Sequence, residues 1–116
     1  NHIASVNFDE LRKAFSTWKR MGLEIEIEVE NIGFLKKIYE LKPDIIMLDN
    51  FSPALARRAA DYIRKRRGRS PKPYIEISGN INLKNVKKYA ASGAERISIG
   101  SITHSSPNFD FSMEIL

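Results

Sequence analysis

Two turns near the C-terminal end of the chain carry the small residues that grip oxyanions. They are Ile77-Ser78-Gly79-Asn80-Ile81 and Ile99-Gly100-Ser101-Ile102-Thr103-His104, and each follows a short β-branched run. Backbone N–H groups at a loop or helix start carry partial positive charge and need no side chain to approach a phosphate. An α/β barrel often places its phosphate site there, on the loops after its last two strands. Two carboxylates, Glu28 and Asp49, end predicted strands upstream. In parallel α/β folds, ligands bind at that end of the sheet. Carboxylates beside a phosphate site suit sugar hydroxyls, Mg²⁺ or a developing cationic carbon. The plainer readings are a solvated residue on an alternating strand for Glu28 and a turn cap toward Phe51-Ser52 for Asp49.

His104 reads in two ways, as a phosphate contact at the start of a short helix or as a surface histidine capping a turn. His2 has no metal-ligand spacing around it. The chain carries no nucleophile elbow, Walker loop or dinucleotide fingerprint. It has no cysteine, which excludes disulfides, a thiol nucleophile and zinc–thiolate sites and fits a cytoplasmic setting.

The elements that must position these residues alternate between helix and strand. Asn7 and Glu10 have capping-box spacing, and Phe8, Leu11, Phe15 and Trp18 then form a helical stripe that Gly22 ends. Leu23, Ile25, Ile27 and Val29 alternate with Glu24, Glu26, Glu28 and Glu30, the period of a strand with unlike faces. Some of these glutamates must be paired or wet, because unpaired buried charge is costly. Asn31 caps a helix running to about Leu41, and residues 44–49 form a nearly continuous apolar strand. Ser52-Pro53 starts a helix that Gly68 stops. Residues 74–77 are a third strand, Asn82 caps a helix over Leu83–Ser92 with Gly93 following, and 96–99 are a fourth strand. In the tail, Phe109, Phe111, Met113 and Ile115 alternate with polar residues, as in a further strand or extended segment.

This order predicts an α/β fold of parallel βα units with right-handed crossovers. Four such strands do not close a barrel. They form either a small doubly wound sheet or about half of a TIM-like barrel, and an aromatic-rich helix before the first strand suits the middle of a longer βα series.

With 116 residues, 42% hydrophobic and 28% charged, the chain is one globular unit at most. It has neither an apolar run long enough for a membrane span nor a signal peptide. The net charge of +5 invites a nucleic-acid reading. However, Arg57, Arg58, Arg64, Lys65, Arg66, Arg67, Arg69 and Lys72 face only Asp61 within residues 57–72, so the rest of the chain is acidic on balance. Cations at a helix C-terminus complement its dipole without a partner. An acidic ligand or partner is the alternative. No aromatic interleaves Arg64–Lys72 to stack on bases, which argues against nucleic acid.

Four segments, Ile25-Glu26-Ile27-Glu28-Val29-Glu30-Asn31, Ile46-Met47-Leu48-Asp49-Asn50-Phe51-Ser52-Pro53, Glu76-Ile77-Ser78-Gly79-Asn80-Ile81 and Ser98-Ile99-Gly100-Ser101-Ile102-Thr103-His104-Ser105, resemble in order and spacing the quinolinate phosphoribosyltransferase family. Asn1-His2-Ile3-Ala4 is similar to the end of that family's Lys-Asp-Asn-His motif. The resemblance implies an α/β barrel domain preceded by an N-terminal α/β sandwich domain, in a homodimer or larger assembly. It implies Mg²⁺-assisted transfer of phosphoribose from phosphoribosyl pyrophosphate to quinolinate, with loss of CO₂ and pyrophosphate, giving nicotinate mononucleotide for NAD biosynthesis.

Carried over by position, Glu28 and Asp49 contact the ribose hydroxyls or the metal-pyrophosphate. Ser78, Gly79 and Asn80 offer backbone donors to the 5′-phosphate, and Gly100, Ser101 and His104 complete that site. The family usually has Gly-Gly where this chain has Gly79-Asn80. If φ is positive there, Asn is the best substitute for Gly. The family's basic quinolinate pocket lies upstream of Asn1. The expectation is therefore the C-terminal half of the barrel domain at residues 1–116, inactive by itself, without the N-terminal domain and the first part of the barrel. Related molybdenum-transport accessory proteins share these motifs, and a non-catalytic phosphate-binding half-barrel is the third reading.

Overall fold

The computed structural model describes residues 7–100 of the chain. The elements are α1 (Phe8–Arg20), β1 (Glu26–Val29), α2 (Ile32–Tyr39), β2 (Ile45–Asp49), α3 (Pro53–Arg67), β3 (Tyr74–Ser78), α4 (Val86–Ala90) and β4 (Arg96–Ile97). The strands form one parallel sheet in the order β1-β2-β3-β4. Glu28 lies opposite Met47, Met47 opposite Glu76, and Glu76 opposite Arg96, while Asp49 lies opposite Ser78.

One face of this sheet is apolar. Ile25, Ile27, Val29, Ile46, Leu48, Ile75 and Ile77 are buried against side chains from all four helices. In α3 the inward stripe is Ala56, Ala59, Ala60 and Ile63, all fully buried. The three alanines let that helix lie close to the strands, and their spacing is that of one helical face. The other sheet face carries Glu26, Glu28, Met47, Asp49, Tyr74, Glu76 and Ser78, each half-buried or exposed. Only Ile45 is buried there among the strand residues described, in register between Glu26 and Tyr74. Among the described residues helices cover one face only, and the doubly wound alternative falls. The sheet is one wall of a barrel, and the alternating glutamates are wet because they line its open side.

Several boundaries depart from the sequence expectation for local reasons. Asn7 accepts from Asp9 N at 3.0 Å, so its cap bond falls one residue short of the Glu10 N–H that a capping box uses. Helix α2 ends at Tyr39, since Lys42 takes a φ of +55° before Pro43 and cannot continue a helix. Helix α4 starts at Val86 because Asn82 Oδ1 accepts from Lys84 N and Asn85 N (2.9 and 3.1 Å) while Asn85 Oδ1 accepts from Asn82 N (2.9 Å). That reciprocal pair holds 82–85 as a turn. Strand β4 spans two residues where 96–99 was expected. The alternating tail at 106–116 and the Asn1-His2 motif lie outside the described residues.

The basic end of α3 is largely consumed within the fold. Arg64 donates to the carbonyls of Ser92 (2.9 Å) and Gly93 (2.8 Å) just beyond α4 and pairs with Asp61. Arg67 pairs with Glu95 at 2.5 Å and donates to Pro73 O, and Lys72 pairs with Asp44 at 2.7 Å. Arg66 stacks over the Tyr62 ring, 3.6 Å from its centroid. Glu95 also accepts from Ile75 N, and Asp44 from Ile25 N. These ion pairs therefore pin α3 and its following loop to the strand starts. None of the helices described is long and apolar enough to cross a membrane.

Candidate functional site

The C-terminal ends of β1 and β2 bring three carboxylates together. Oxygens of Glu28, Glu30 and Asp49 all lie within 4.8 Å of one another. Buried Val29 anchors the end of β1 between the two glutamates, and buried Leu48 anchors the end of β2 beside Asp49. Partial burial and the neighbouring Asp49 charge push the Glu28 carboxyl above its ordinary value. Like charges held this close want a counter-charge or hydroxyl donors. The donor set is hard oxygen only, which fits Mg²⁺ or a sugar diol and does not fit a soft metal.

Next to this group, Asp49 pairs in register with Ser78, and the chain leaves the sheet through Gly79 and Asn80. Gly79 has a φ of +87°, and a Cβ there would stand 2.3 Å from Asn50 Oδ1 and 2.9 Å from Asn50 N. Only glycine fits that approach. Asn80 has a φ of +55°, the left-handed backbone for which asparagine is the tolerated substitute. Its side chain donates to Asn50 Oδ1 at 3.0 Å, so the loop keeps its backbone path and gains a side-chain tie.

The path toward Gly100 is anchored to β3. Ser98 N donates to Ile77 O at 2.9 Å, and its hydroxyl donates to the Glu76 carboxylate. The loops after β3 and β4 thus leave adjacent strands at the same rim as Glu28 and Asp49. Ser101 and His104 lie outside the described residues. Three contributors escaped the sequence reading. Glu30 was one of the alternating glutamates with no part in the site, and Asn50 and Glu76 carried no role of their own. For Asn50 the available signal was its place after an acidic strand end, two positions before a Ser-Pro helix start. Ser52, not Asp49, caps α3, accepting from Leu55 N at 3.2 Å.

Parallel βα units, helices on one face, and carboxylates beside a glycine-bearing loop at the strand C-termini define a segment of an α/β-barrel protein with its candidate site at that end. The chain belongs to the family described as quinolinate phosphoribosyl transferase, C-terminal domain, whose model matches residues 1–114. A probable nicotinate-nucleotide pyrophosphorylase (carboxylating) of Archaeoglobus fulgidus is 40% identical over 116 residues, covering 100% of this chain and 44% of that protein. The protein of the same name in Methanocaldococcus jannaschii is 38% identical over 117 residues, covering 100% and 41%. The crystal structure of nicotinate-nucleotide pyrophosphorylase from Ehrlichia chaffeensis superposes with a TM-score of 0.72 at 34% identity, over 90% of this chain and 36% of that one. The chain thus spans less than half the length of these relatives.

Proposed function

We propose that this chain supplies the ribose- and phosphate-binding part of a longer, carboxylating nicotinate-nucleotide pyrophosphorylase. That enzyme transfers phosphoribose from phosphoribosyl pyrophosphate to quinolinate and releases CO₂ and pyrophosphate. The observation that carries the reading is the rim itself, where Glu28 and Asp49 share an acidic cluster and Asp49 is in register with Ser78 of the glycine-bearing loop. Glu28 and Asp49 accept hydrogen bonds from the ribose hydroxyls and place negative charge near the anomeric carbon. As the bond to pyrophosphate lengthens, positive charge develops on that carbon, and fixed carboxylates stabilise it without reorganising. In this reading the N–H groups of Gly79 and Asn80, beyond the last rung of the sheet, receive the 5′-phosphate, and the family resemblance assigns Gly100, Ser101 and His104 to the same phosphate.

Glu28, Glu30 and Asp49 are the residues that would hold Mg²⁺, which when bound supplies charge neutralisation for the departing pyrophosphate. In this reading quinolinate is held by parts of that longer enzyme other than these 116 residues. We place the assembled protein in the cytoplasm as a homodimer or larger homo-oligomer.

The test is turnover by the full-length protein. Phosphoribosyl pyrophosphate and quinolinate should yield nicotinate mononucleotide, followed by chromatography. Glu28→Gln should lower kcat/KM by about 10²-fold, the scale of a lost transition-state electrostatic contact. Absence of product with the wild-type protein, or full activity in the Gln variant, would remove the assignment.

A further inference from the structure

Asn50 stands between the carboxylates and the loop after β3. Its Nδ2 donates to Asp49 Oδ2 at 2.8 Å, and its Oδ1 accepts from Asn80 Nδ2 at 3.0 Å. Both asparagines hold a φ of +55°. The Asn50 backbone N donates to Ser78 O at 3.0 Å, which fixes where its side chain starts. On the far side, the Asn80 carbonyl accepts from Asn85 Nδ2 at 2.9 Å. A line of amides thus runs from Asp49 to the turn that opens α4.

The direction of these bonds is dictated by chemistry. An ionised carboxylate only accepts, so Asn50 must turn its NH₂ toward Asp49. Its carbonyl oxygen then faces residue 80, which must be a donor. Asn80 meets that demand and tolerates the backbone φ. Glycine there would leave the Asn50 oxygen without this bond, and aspartate would set an acceptor against an acceptor. A carboxylate tied at one oxygen is also restrained in rotation about its Cβ–Cγ bond.

We infer that Asn80 is a positioning residue that acts through Asn50 to orient the Asp49 carboxylate. The loop that receives phosphate and the acid that receives ribose are thereby set as one unit. This deepens the phosphoribosyl-transfer reading, and its kinetic test rests on that reading.

The experiment uses Asn80→Asp, Asn80→Gly, Asn50→Ala and the Asn50→Ala/Asn80→Asp double variant of the full-length protein. Misdirecting a reacting-centre group costs rate more than binding. Asn80→Asp should therefore lower kcat by about tenfold, and its added charge beside the phosphate loop should raise KM as well, so the split of kcat from KM is read in the uncharged Asn80→Gly, whose KM for phosphoribosyl pyrophosphate should move by less than about threefold. Asn80→Gly should lower kcat by only about threefold, since it removes the donor without adding repulsion. The double variant should be no slower than Asn50→Ala alone, because both changes cut the same line.

Wild-type kcat in Asn80→Asp, a rise in KM alone, or additive losses in the double variant would each overturn the relay. Crystal structures give a readout independent of turnover, and the Asp49 carboxylate should be rotated in Asn80→Asp relative to the wild type. An unrotated Asp49 overturns the relay even if the reaction is confirmed. A wild-type protein without turnover overturns only the reaction. If Asn80→Asp fails to fold, Asn80→Gly, which any positive φ suits, decides both readouts.

Discussion

Gly79 shows how a single missing Cβ lets two functional groups share one rim. The loop after β3 passes so close to Asn50 that no side chain fits between them, and the approach keeps Asp49 beside Ser78. Gly79→Ala combines a strained positive φ with a backbone clash and should cost about 2–4 kcal/mol of stability. Gly22→Ala is the control, since Gly22 shares the positive φ at +74° but faces open space. It should cost about 1 kcal/mol, and thermal melts of the two variants separate clash from strain. Glu28 makes a second residue-scale prediction. Burial and Asp49 hold its carboxyl above the ordinary value, so it takes up a proton earlier than a free glutamate as pH falls. In the proposed Mg²⁺ site the ion must displace that proton, so its affinity measured at about pH 5 should be lower than at about pH 7.5. Calorimetric titration at the two pH values checks it, and Asp49→Asn should weaken binding at both.

At the scale of elements, the ion pairs of Glu95 and Asp44 hold helix to sheet, and they set an acid limit. Partial burial opposes ionisation of both carboxyls. It is outweighed by Arg67 and Ile75 N at Glu95, and by Lys72 and Ile25 N at Asp44, so both groups sit below their ordinary values. A lowered folded pKa gives stability that is complete above the unfolded value, near 4, and is lost as pH falls through the folded one. Glu95→Gln should remove about 1–2 kcal/mol at neutral pH and flatten part of the acid-side fall in melting temperature, seen by calorimetry from pH 7 to pH 2.

These pairs also mark where the sequence stops being legible. Strand β1 and the α3 cap were readable because alternation and Ser52-Pro53 act within a few residues. Arg67 and Glu95 are 28 positions apart, as are Lys72 and Asp44, and no local pattern announces such partners. The basic run therefore looked like a solvated helix end or a ligand patch. Helix α4 was overcalled because the Asn82–Asn85 turn competes with helix through side-chain bonds that propensity does not see. In the candidate site, the strand-end acids and the glycine loop were visible from type and spacing. The cluster with Glu30 was not, because a two-residue period assigns a face and not a meeting point.

At the scale of the molecule, the described residues cover one face of the sheet and leave the other open. Among the described residues, β1 and β4 have neighbours on one side only, and Met21 and Leu23, 67% and 50% exposed, lie just before β1. The uncovered face sets Met47 and Tyr74 among Glu26, Glu28, Glu76 and Arg96. An unpaired strand edge is a template for another strand, and an apolar margin adds a driving force. The 116 residues expressed alone should therefore associate through β1 and the open face, whereas the same residues within the full-length protein should not. Sedimentation velocity across a concentration series should show a weight-average coefficient that rises with concentration for the segment. Placing Lys at Leu23 should suppress that rise, because a charge on the edge opposes strand addition without touching the helical core. A segment that stays monomeric throughout would mean that the wall is self-sufficient and that its open face needs no further strands.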